Sequence, residues 1–151
     1  MTGLTVSVPG GGERLVNFLG AEVLLRLTGE HTDGRLAITE AGQPADADPA
    51  PMHIHDKEDE TIQVLEGHLI IEVDGTRIDA QAGSVVHIPR GAAQRFWNPG
   101  PANARYQSIF SPAGQENYFR EAYALVMEAD DFDTRLAEIR ERYGLRYPAE
   151  D

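Results

Sequence analysis

From Glu13 onward the chain reads as short apolar and polar alternations. Residues 21–28 form a brief apolar run, and residues 35–40 set Leu36 and Ile38 against polar neighbours. Between them, Asp33-Gly34 predicts a hairpin, because both residues accept the positive φ of a tight turn. Residues 43–51 are rich in Pro, Ala and Asp and too polar for core. Strands are then predicted over residues 61–65, 69–73, 76–80, 84–88, 94–97 and 104–110, with turn signals at Gly67, Asp74-Gly75 and Pro89. Strands at intervals of about ten residues predict an all-β sandwich or barrel.

The period changes after Phe110. Ser111 and Pro112 suit the cap and first position of a helix, since proline has no N–H to leave unpaired there. Tyr118, Ala122, Leu125 and Ala129 then recur at helical spacing. A second helix is predicted from Asp131, with Phe132, Leu136, Ile139 and Tyr143 as its stripe and Gly144 as its stop. These two helices should cover one side of the barrel or form a contact between subunits. Residues 1–12 read as a loose arm, 13–111 as the barrel and 112–151 as a helical extension.

Composition narrows the function. The chain has 151 residues, 41% of them hydrophobic, enough for one core. There is no cysteine, which removes disulfides, thiol nucleophiles, Cys-ligated zinc and iron–sulfur clusters. The formal net charge of −12 disfavours nucleic acid and anionic membrane as partners. No basic-then-apolar leader opens the chain and no long apolar run crosses a membrane, so the expected location is cytoplasmic.

The candidate chemistry lies in residues 51–60. On an extended strand, side chains i and i+2 share a face, so His53 and His55 project together. Glu60 opens the next strand. If that strand runs back beside the first, its carboxylate approaches both imidazoles. Two imidazoles and a carboxylate suit a divalent first-row transition metal: iron, manganese, nickel, cobalt, copper or zinc.

His53-x-His55, Glu60 and Gly67 together resemble the first motif of the cupin superfamily. Gly83, Pro89-Arg90-Gly91 and Asn98 resemble its second motif, and residues 111–119 resemble the tail of small quercetin-dioxygenase-like cupins. The resemblance spans about residues 13 to 120. It implies an all-β, cupin-type double-stranded β-helix (jelly-roll) barrel followed by the two helices. It further implies one bound metal and a homodimer. In the second motif a histidine is usual where Gln94 stands. Gln94 would either complete the coordination, hold a metal-bound water while His53, His55 and Glu60 bind alone, or leave the site weak.

Other residues are read by strand parity. Phe96 shares a face with Gln94, and Ile62 with Glu60, so both are expected to line a substrate pocket. Trp97 points the other way. His87 would be a base if it faced the lumen, and an ordinary polar residue if it faced out. Arg90 and Arg95 are candidates to meet an anion at the mouth. Asp56, Glu58 and Asp59 read as a solvated turn. The function implied is a metal-dependent, dioxygenase-like enzyme acting on a small aromatic or enolisable molecule. A non-redox isomerase, cyclase or lyase and a non-catalytic binding protein stand beside it.

Overall fold

A computed structural model describes residues 3–149. The elements run β1 (Glu13–Val16), β2 (Glu22–Leu27), α1 (Gly29–Thr32), β3 (Ala37–Gln43), β4 (His53–His55), β5 (Asp59–Glu66), β6 (His68–Val73), β7 (Thr76–Gln81), β8 (Val85–Ile88), β9 (Ala93–Trp97), β10 (Ala104–Ser111), α2 (Gln115–Tyr123), α3 (Phe132–Tyr143) and β11 (Leu145–Arg146). One sheet has the order β1-β2-β3-β10-β5-β8, the other β11-β4-β9-β6-β7. All pairings are antiparallel. The two sheets face one another as a jelly roll.

Register sets what each sheet turns inward. Across the first sheet Glu60 stands opposite Phe110 and Ile88, Ile62 opposite Ser108 and Val86, and Val64 opposite Tyr106. Directly opposed residues share a face, so these rows meet the interior. Ile62, Val64, Leu69, Ile71, Ala80 and Ile88 are almost fully buried and form the core at one end. Burying such aliphatic side chains contributes about 1.5–3 kcal/mol each before entropy is counted. The remaining interior, at the end holding Glu60 and His53, is left open for a cavity.

Gly67 shows why the tight β5–β6 corner takes glycine. Its φ is 70°, and a Cβ there would stand 2.9 Å from the carbonyl oxygen of Asn103. Any side chain would push β10 away.

Several sequence expectations are refined. The Asp33-Gly34 turn does join two antiparallel strands, but a single helical turn, α1, precedes it. The helix expected at Ser111-Pro112 starts later, at Gln115, because Ser111 is still paired in β10 opposite Asp59. Its start is fixed by buried Glu116, whose carboxylate accepts the N–H of Gly29 at 2.8 Å and of Gly114 at 2.7 Å. The second helix follows the pattern predicted for it, ending at Gly144 with φ 68°. Residues 1 and 2 of the expected loose arm lie outside the described residues. Its later part is tied down: Arg26 donates to the carbonyls of Ser7 and Val8 and to the Ser7 hydroxyl.

The strand β11 was not foreseen. Leu145 pairs with His55 and Arg146 with Ile54. Asp56 reinforces the junction, accepting two bonds from the Arg146 guanidinium at 2.6 and 2.8 Å. Tyr118, Ala122, Leu125, Leu136, Ile139 and Leu145 make a second core beneath the helices. The helical extension is thereby fastened over the open end of the barrel.

Candidate metal centre

The ligand group straddles the two sheets. His53 and His55 project from β4, and Glu60 comes from β5 on the facing sheet. The sequence brings the Glu60 carboxylate to the imidazoles on the condition that its strand runs back beside the histidine strand. In the structure β4 pairs instead with β9 and β11, and Glu60 reaches across the interior. The donor atoms of the three residues lie within 4.8 Å of one another. His55 Nε2 is 3.3 Å from Glu60 Oε1.

Each ligand has its other polar atom held by a neighbour. His53 Nδ1 lies 2.9 Å from the Pro51 carbonyl, which can only accept, so Nδ1 carries the hydrogen and Nε2 the lone pair. His55 Nδ1 is 2.8 Å from Glu58 Oε1. Glu60 Oε2 accepts from the Ser108 hydroxyl at 2.7 Å. Such supporting bonds fix the tautomer and ring orientation of metal-binding histidines.

The electrostatics are those of a site short of positive charge. Burial opposes a charge on His55, but the hydrogen bonds and negative charges of Glu58 and Glu60 overcome it and raise its pKa to about 9. Burial lowers the pKa of His53, against the Pro51 bond and the Glu60 charge. Burial pushes Glu60 up, but the bond and charge of His55, the charge of His53 and the Ser108 bond together hold it below the usual value. Glu58 and Glu60 thus set two carboxyl groups against one imidazole ring in a buried cluster. A divalent cation in place of the His55 proton would balance the two carboxylates, as neutralising a buried charge requires.

Gln94 supplies an independent test of fit. It sits directly opposite His53 in the β4–β9 pair, so both side chains share the inner face. It is only 2% exposed, and its Oε1 has no hydrogen-bond partner. An orphaned buried amide oxygen costs about 1–3 kcal/mol unless something accepts its lone pairs. A cation bound by His53, His55 and Glu60, or water on it, would do so. The residues fit a metal.

The cluster forms part of the wall of a cavity of about 380 Å³. Phe96 and Tyr106 line it from the barrel, and Tyr118, Phe119, Tyr123 and Tyr147 from the extension. Phe18, in the β1–β2 loop, closes another side by edge contact with Phe132 at 4.8 Å between ring centroids. Tyr147 packs 6.0 Å from the His53 ring.

The structure does not place every candidate there. Phe96 lines the cavity, but Ile62 belongs to the sealed core below it. His87 is exposed on the outer face, opposite Thr61 and 2.9 Å from its hydroxyl. It cannot reach the lumen, because Ile88 takes the inward position. Arg90 is paired with Asp59 and Arg95 with Glu72. Trp97 faces out beneath Arg77 and Arg95, as parity predicts. Glu58, expected in a solvated turn, is 4% exposed and holds His55. The wall formed by α2, α3 and Tyr147 had no sequence signal beyond ordinary amphipathic spacing.

Residues 39–110 match the family Cupin_2, described as Cupin domain. The fold agrees with that match: the two antiparallel sheets form a cupin-type jelly roll with the matched residues at its centre. KdgF from Halomonas sp. is similar in structure, with TM-score 0.65 and 14% identity, covering 76% of this chain and 99% of that one. A protein from Thermotoga maritima described as a predicted oxalate decarboxylase has TM-score 0.58 and 20% identity, covering 66% and 90%. The Cnp3 cupin domain of Schizosaccharomyces pombe has TM-score 0.56 and 18% identity, covering 73% and 72%. At these identities the likeness establishes the fold alone. No similarity to a curated protein was found. No helix among the described residues is long and apolar enough to cross a membrane.

Proposed function

We propose that this cupin is a metal-dependent enzyme of the dioxygenase-like type, acting on a small aromatic or enolisable molecule. The observation that carries the reading is the His53–His55–Glu60 cluster set in the wall of an aromatic-lined cavity. A divalent first-row metal held there would act as a Lewis acid, making a bound hydroxyl or enol more acidic and more electron-rich.

The chain's own residues fit that task. His53, His55 and Glu60 supply the donors, while Pro51, Glu58 and Ser108 fix their orientation. Gln94 fills or modulates a further position. Phe96, Tyr106, Tyr118 and Phe119 exclude water and offer ring faces to a flat substrate. Apart from the ligands themselves, the described lining groups are aromatic, aliphatic, amide, hydroxyl and one guanidinium. None is a base near neutral pH. This favours a substrate whose acidic O–H ionises on binding over an isomerase or lyase that must abstract a proton from carbon.

The experiment has two stages. Protein purified without chelator or nickel resin is assayed for metal by elemental mass spectrometry, beside His53→Ala. Near one equivalent of a redox-active metal, absent from the variant, supports the enzyme, and oxygen uptake is then screened over enols and phenols. Metal at full occupancy in His53→Ala would refute the ligand assignment. A loaded protein that turns over such a compound without oxygen uptake would make it a non-redox Lewis-acid enzyme.

A further inference from the structure

Among the described residues that line it, the cavity holds one basic side chain besides the two histidines. Arg140, on α3, lines it together with Tyr147 and Leu136. Its guanidinium stacks on the Tyr147 ring, 4.1 Å from the centroid. Its Nε is buried and has no hydrogen-bond partner. Among the described residues no carboxylate pairs with it, whereas Arg26, Arg105, Arg120, Arg142 and Arg146 all have acidic partners. In a chain of net charge −12, a cation kept beside an apolar cavity with no counter-ion among the described residues is a feature that a ligand would satisfy.

We propose that Arg140 is the specificity-determining residue of the cavity and receives a carboxylate on the molecule that binds there. The guanidinium presents a planar fork of donors that matches a carboxylate. Stacking on Tyr147 fixes the plane of that fork. Tyr147 in turn lies 6.0 Å from His53, so one aromatic ring touches both Arg140 and the ligand cluster. The occupant is thus a small aromatic or enolic acid, anchored at its carboxylate by the helical extension and presenting its other end to the barrel. The proposal rests on the metal-enzyme reading only for that far end; the Arg140 subsite stands in the metal-free protein too.

The test uses 2-naphthoate and 2-naphthamide, which share size and shape and differ in charge. Both are titrated calorimetrically into metal-free and zinc-loaded protein, for the wild type, Arg140→Gln and Arg140→Lys. The wild type should bind the carboxylate about tenfold or more tightly than the amide, the margin of a charge-assisted bidentate contact. Arg140→Gln should reduce that preference to about twofold or less with the amide affinity unchanged, and Arg140→Lys should keep part of it. Equal affinities in the wild type, a preference that survives Arg140→Gln, or no naphthoate binding at millimolar concentration would each overturn the proposal. If Arg140→Gln does not fold, the wild-type pair and Arg140→Lys still decide. If zinc fails to load but the Arg140-dependent preference holds, the metal-enzyme reading fails and this one stands.

Discussion

Glu58 Oε1 lies 2.8 Å from His55 Nδ1, on the opposite edge of the ring from Glu60. The imidazole is therefore held between two carboxylates, one of which would serve a metal while the other steers the ring. Glu58→Ala should weaken metal binding by about 10- to 100-fold, the usual cost of losing such a support. Glu58→Gln, which can still accept at Nδ1, should lose less. Competition with a chromogenic chelator measures both, and an unchanged affinity in Glu58→Ala would show that the ring is oriented by other means.

Direct ligands should behave more severely. His53→Ala and Glu60→Ala are expected to abolish retention of metal through gel filtration while the circular dichroism of the barrel persists. His87→Ala is the matching control. Because His87 is exposed and touches Thr61, its loss should leave metal affinity within about twofold and stability within about 0.5 kcal/mol.

Gln94 can be tested from both sides. Gln94→His puts a stronger donor opposite His53 and should tighten binding of a late first-row metal by about tenfold. Gln94→Leu removes the orphaned oxygen. It should stabilise the metal-free protein and weaken the loaded one. Equal behaviour of Gln94→Leu and the wild type in both states would place Gln94 outside the metal's reach.

The pH dependence follows from His55. Its pKa is raised from 6.5 unfolded to about 9 folded, with burial outweighed by the bonds and charges of Glu58 and Glu60. Proton binding by His55 thus stabilises the metal-free fold fully below pH 6.5, and this contribution disappears as pH rises through about 9. The thermal midpoint of the metal-free protein should fall over that window by on the order of 5 °C. The loaded protein should not follow, since a metal on Nε2 replaces the proton. Its apparent metal affinity should instead rise with pH across the same interval. Glu60 acts oppositely: its lowered pKa adds stability above its unfolded value of 4.5 that is lost as pH falls below it.

Glu116 carries a purely structural prediction. Its carboxylate is 2% exposed and accepts two backbone N–H groups, from Gly29 and Gly114. Glu116→Ala leaves both donors without a partner and should cost about 2–4 kcal/mol. Urea unfolding monitored at Trp97 would register it as a lower midpoint.

Much of the barrel was legible because alternation and turn chemistry are local. Asp74-Gly75, Gly67 and the His53–His55 pair each follow from rules spanning a few residues, and the register they set turns Glu60 and Phe96 inward. Three features were not legible because they depend on distant partners. Glu58 looks like one more acid in a polar turn until the ring of His55 is seen beside it. His87 and Ile62 could be placed only once β8 and β5 were registered against each other, which turned His87 out and sank Ile62 into the core. Arg140 lies on an ordinary amphipathic helix, and its role depends on where that helix docks.

The pairing of β11 with β4 sets the order in which the site can be assembled during synthesis. Arg146 and Asp56 are 90 residues apart in sequence yet bonded in space. The ribosome delivers His53, His55 and Glu60 well before the strand and helices that enclose them. Until Leu145 and Tyr147 emerge, the nascent ligand strand has a bare edge and His53, His55 and Glu60 stand open to the surrounding ions and chelators. A metal binding here would thus be selected either on an open half-site during translation or through a finished wall afterwards, and these two routes expose the site to different competitors.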